Sequence, residues 1–116
     1  MNTKEFEWLN SVRDSIFHRL RDEAQQRKED PHSWHEGHNG GQAMVEAMRF
    51  IEKALWQINP KEEFDIAIER QIDLIKQQRA LYRRLDNDPY QYGNHAFSEM
   101  IKDLQGLKCS PVPEHH

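Results

Sequence analysis

Apolar residues recur along this chain at helical spacings, and the longest uninterrupted stretch of that rhythm covers residues 60–86. Phe64, Ile68, Ile72, Ile75 and Tyr82 form one stripe, with Ala67, Leu74, Leu81 and Leu85 beside it, which predicts a wide buried face. At about 1.5 Å per residue such a helix would be about 40 Å long, enough to carry shorter helices along its length. It is therefore expected to lie at the centre of the fold.

Three other segments share the pattern. In the first, Phe6, Leu9, Val12, Ile16, Leu20 and Ala24 form a stripe widened by Phe17, with Asn2 or Thr3 placed to cap it and Glu5 and Glu7 in its first turn. Residues 25–29 are wholly polar and Pro31 ends the helix. A second helix is expected from Asn39, with Gln42 as its capping partner and Met44, Ala47, Met48, Ile51, Leu55 and Ile58 on its core face. Asn59-Pro60 stops it and is expected to start the next helix, Asn59 as cap and Pro60 in the first position, with Glu62 completing the box. So short a connection predicts an antiparallel hairpin of the second and third helices. After the stop at Asp86-Asn87-Asp88-Pro89, Asn94 is expected to cap a fourth helix carrying Phe97, Met100, Ile101 and Leu104, ended by Gly106.

Between the first and second helices lie residues 31–41, with three glycines and a proline, which predict an irregular connection. No stretch alternates convincingly as a strand, and no repeat recurs at a solenoid period. The expected fold is an all-α, four-helix bundle-like domain over residues 1–106, followed by a disordered tail over 107–116 whose His115-His116 reads as part of a purification tag.

Composition narrows the function classes. Of 116 residues 36% are hydrophobic and 31% charged, so the core is thin, and a homodimer that extends it is a reasonable expectation. Sixteen Lys and Arg against twenty Asp and Glu make the chain acidic, with net charge −4, which argues against a nucleic-acid-binding surface. The single cysteine, Cys109, fits a reducing compartment. The first five residues carry no apolar leader and no run approaches a membrane span, so a cytoplasmic protein without membrane contact is expected.

Two candidate chemistries stand out. His32, His35 and His38 recur every third residue with Glu36 among them, the donor types that zinc, nickel or copper uses, in a connection flexible enough to wrap a divalent transition metal. The alternative is a polar loop anchored by Trp34 with its histidines in water. The glycines of Asn39-Gly40-Gly41 also open a helix start where free N–H groups favour anions.

The run Arg13-Asp14-Ser15-Ile16-Phe17-His18 resembles the Arg-x4-6-His signature of HEPN-type ribonucleases, helical bundles that pair two such motifs across a dimer. The resemblance implies that Arg13 steadies a phosphate and His18 assists proton transfer in metal-independent RNA cleavage. The alternative places both residues on the solvated flank of an amphipathic helix. The acidic cluster at Glu62, Glu63, Asp65 and Glu69 lacks the paired motifs of helical nucleotide pyrophosphatases, and phosphate-loop and nucleophile-elbow motifs are missing.

Trp8, Trp34, Trp56, Tyr90 and Tyr92 lie off the core stripes or in connections, and aromatic residues outside a core are what protein interfaces concentrate. Together these features favour a small accessory or regulatory protein, of the kind found in bacteria, phages and plasmids, that works by binding a protein partner rather than by catalysis. The HEPN-like ribonuclease and the metal-binding histidine loop are the alternatives.

Overall fold

A computed structural model describes residues 1–55 and 58–108. Trp56, Cys109 and the expected tail from 109 onward lie outside the described residues. The chain forms α1 (Thr3–Glu29), a single 3-10 turn (Pro31–Ser33), a two-residue hairpin of β1 (Trp34–His35) and β2 (His38–Asn39), then α2 (Gly40–Leu55), α3 (Phe64–Arg83) and α4 (Tyr92–Leu107). This is the expected all-α bundle. Among the described residues no helix is long and apolar enough to cross a membrane.

The contacts between helices fix their directions. Gly41 of α2 lies against Ala24 and Lys28 of α1, while Arg13 of α1 reaches the carbonyl of Leu55 at the far end of α2, so α1 and α2 run antiparallel. Tyr82 of α3 approaches the carbonyl of Ala43, and the Gln71 amide donates to that of Ala54 at 2.7 Å, which makes α2 and α3 the expected antiparallel hairpin. Arg83 meets Asn94, and Lys108 meets Glu69 at 2.5 Å, so α4 returns against α3. The bundle runs up, down, up, down.

The element that packs against all three other helices over extended faces is α2. The expected long helix is present as α3, trimmed at both ends, and it packs on α2 and α4 while α1 lies on their other side. The physical reason is in the side chains. Helix α2 carries Met44, Ala47, Met48, Ile51 and Ala54, all buried and several of them small, so neighbours approach it closely from more than one side. In α3 a single stripe is buried, from Ala67 and Ile68 through Gln71, Ile72 and Ile75 to Tyr82, and the flanking Leu81 and Leu85 are 44% and 43% exposed. Of the second predicted stripe, Ala67 is buried and Leu74 packs against the core, while Leu81 and Leu85 face solvent.

Several ends differ from the sequence expectation. Of the two expected caps of α1 Asn2 serves, and with Glu5 it forms a reciprocal capping box at 2.8 Å, while Asn39 caps α2 through the Gln42 amide at 3.1 Å as expected. Asn59 instead makes a turn with Lys61 and Glu62, and α3 starts five residues later at Phe64. Helix α4 begins before Asn94, whose amide is bound by Asp88 at 3.0 Å, and continues past Gly106 to Leu107. Leu107, expected to open the tail, is buried in the core, so apolar burial carries the helix beyond the glycine.

Candidate functional site

Residues 31–41 are more ordered in form than their composition suggested. Asp30 accepts a bond from the His32 amide at 2.9 Å, turning the chain after α1, and the antiparallel pairs Trp34 with Asn39 and His35 with His38 close a hairpin over Glu36-Gly37. Both turn residues have positive φ, 51° and 84°, the backbone that matches strand twist in a two-residue hairpin loop and that Gly37 adopts without strain. Buried Asn39 then ties three elements together. Its side-chain amide donates to the Arg27 carbonyl of α1 at 3.1 Å while its oxygen caps α2.

A second connection, residues 84–91, folds against this hairpin. Asp86 and Gln91 take positive φ, and Asp88 caps the start of α4. The two connections meet through aromatic rings. The His35 ring lies 4.7 Å from Tyr90 and stacks at 6.4 Å on Tyr92, whose hydroxyl is 3.4 Å from His35 Nε2. On Tyr92 rests the Arg27 guanidinium, 4.9 Å from the ring centre and paired with Glu23 at 3.1 Å.

Between hairpin and connection lies a cavity of about 240 Å³, walled by Tyr82, Tyr90, Tyr92, Glu46 and Asp88 and by the first turn of α2. Burial first, then the Asp88 carboxylate, raises the Tyr82 phenol well above its ordinary value, so it stays protonated at neutral pH.

The predicted residues divide by this geometry. Trp34, Tyr90 and Tyr92 come to the hairpin end of the bundle, Trp34 and Tyr90 exposed and Tyr92 half-buried. Trp8 lies at the opposite end, half-buried and stacked 5.7 Å from Phe64, where it fastens α1 to the start of α3. Leu81 and Leu85, expected on a buried stripe, instead stand exposed at the end of α3 and just beyond it, at the same end of the bundle as the hairpin.

The metal expectation does not match the arrangement. His35 is taken up between tyrosines, and His32 and His38 are exposed. Among the described residues no three His, Cys, Asp or Glu side chains are placed to hold a metal ion. A spacing of three stacks side chains on one face of a helix, but here the histidines fall in a 3-10 turn and on two paired strands, with His35 opposite His38.

Arg13 and His18 both line a groove of about 430 Å³ between α1 and the end of α2, with Phe17 and Leu55 in its wall. Arg13 is half-buried and committed. Its guanidinium donates to the Leu55 carbonyl and to Asn10 Oδ1 at 3.0 Å, while His18 is exposed. Burial lowers Arg13 to about 10, partly offset by Asp14, which leaves it charged at neutral pH. The geometry suits a positive charge that satisfies a carbonyl at a helix C-terminus better than one awaiting a phosphate.

Comparison with protein families, curated proteins and solved structures returns no match to this chain.

Proposed function

We propose that this chain is an accessory or regulatory protein that works by binding a protein partner, a second copy of itself included, at the hairpin end of the bundle. One observation carries the reading. Of the five large hydrophobic side chains that stand exposed among the described residues, Trp34, Leu81, Leu85 and Tyr90 lie at that end, and Ile66 alone lies elsewhere. Scattered exposed hydrophobics are ordinary, but their concentration at one end, with a tryptophan and a tyrosine among them, is the composition of an interface core.

The elements beneath this surface are well supported. Asn39, the His35 ring and Asp88 hold hairpin and connection in place, so little conformational freedom would be lost on docking. A cytoplasmic setting accords with the lone cysteine and belongs to the same proposal.

The test is association measured with and without the surface. Static light scattering across concentration, together with capture of partners from the native host, is expected to lose its signal for the pair Trp34→Ala and Leu85→Ser while circular dichroism stays helical. Identical molar mass and identical captured proteins for wild type and variant would overturn the reading.

A further inference from the structure

The cavity between the hairpin and residues 84–91 has walls of an unusual kind. Three tyrosines, Tyr82, Tyr90 and Tyr92, and two carboxylates, Glu46 and Asp88, line it together with His38, and among the described residues no lysine or arginine does. We propose that this cavity binds a small organic cation, an alkylated ammonium head group. The proposal rests on the cavity alone and stands whether or not a protein docks at that end.

The electrostatic balance decides the sign of the ligand. The first turn of α2 lines the cavity and α4 starts beside it, and each helix N-terminus acts as about half a positive charge. Two carboxylates outweigh two such ends. Two of the amides at these helix starts are also engaged, Gln42 by Asn39 and Asn94 by Asp88. Glu46 has a cationic neighbour in Arg49 at 3.7 Å, but the arginine side chain is 72% exposed, so water screens the pair. Arg27 lies outside the wall and is held by Glu23.

The aromatic walls supply the rest. A tyrosine face attracts a cation through its quadrupole, and the attraction grows as the site sheds water. Tyr92 already holds one cation, Arg27, over its ring and packs against Gly40, and Tyr82 is 3% exposed, so Tyr90, 41% exposed, is the ring with area left for a ligand cation. A compact charged head with methyl groups matches both the rings and the carboxylates. A bare metal ion would need converging oxygens that this cavity does not bring together.

The head group can arrive on a free small molecule or on a lysine side chain of a peptide. Amide chemical shifts of the intact chain, followed by NMR during titration, separate the cases. Choline is expected to give saturable shifts at Gly40, Glu46 and Tyr92, and its neutral isostere 3,3-dimethylbutanol is not. Glu46→Gln and Tyr90→Leu are each expected to weaken choline by about fivefold, with the remaining spectrum unchanged. A trimethyllysine tripeptide binding more tightly than choline would assign the natural source to a protein side chain, and the reverse order to a free ammonium. Equal shifts with the isostere, preferential binding of acetate, or no saturation with either ammonium would overturn the proposal.

Discussion

Arg13 donates from the middle of α1 to the main-chain carbonyl of Leu55, the last residue of α2. That carbonyl belongs to the last turn of α2, where oxygens lack helical partners, and the charge sits where the helix dipole favours it. The same residue that a short motif marks for phosphate is thus used to lock two helices.

Replacing it should read out as stability. Arg13→Met keeps an apolar stem in the groove but removes the charged donor, and is expected to cost about 2 kcal/mol in urea unfolding. His18→Ala, at an exposed position, is expected to change stability by about 0.5 kcal/mol or less. Equal losses at both sites would contradict the locking role.

Trp8 and Trp34 are expected to part company. Trp8→Ala removes the stack on Phe64 and should cost about 2 kcal/mol of stability while leaving association intact. Trp34→Ala, with the side chain 47% exposed, should leave the melting temperature nearly unchanged and weaken association. Calorimetric melting and light scattering on the same two samples check both halves.

Two glycines make an opposed pair. A Cβ on Gly41 would lie 2.3 Å from the Ala24 carbonyl oxygen and 2.5 Å from the Lys28 nitrogen, backbone atoms that cannot step aside, so Gly41→Ala must spread α1 from α2. A loss of about 2 kcal/mol or more is expected. Gly106 sits inside α4 with open space around its Cβ position, and Gly106→Ala should gain about 0.5 kcal/mol from helix propensity.

Tyr82 gives the protein an alkaline limit. Its phenol titrates higher when folded than when unfolded, because burial and Asp88 oppose the phenolate, so above pH of about 10 the folded state binds more protons. Stability contributed by the protonated phenol is complete below that pH and is lost as pH rises above it. Tyr82→Phe should flatten the fall in melting temperature between about pH 10 and 11 relative to wild type. Parallel curves for the two proteins would show that other groups set the slope.

Periodicity carried the helices, because a stripe at positions such as Leu9, Ile16 and Leu20 can be buried in one conformation only. It also carried the caps whose partners lie within three residues, as at Asn2 and Asn39. The aromatic candidates were legible as a set but not as a place. Trp8 and Trp34 look alike in sequence, and what separates them is Phe64, whose contact with Trp8 spans more than fifty residues.

Local chemistry, then, determined what each segment becomes: four helices, and the stop at Asp86-Asn87-Asp88-Pro89 before the last of them. Tertiary structure alone decided which face of α3 meets water, that α2 holds the other three helices, that Arg13 serves a carbonyl, and that Tyr82, Tyr90 and Tyr92 surround one cavity with Glu46 and Asp88. The reason is the range of the forces. Backbone hydrogen bonds and helix periodicity act across four residues, whereas burial and the pairing of charges depend on which distant surface happens to be opposite.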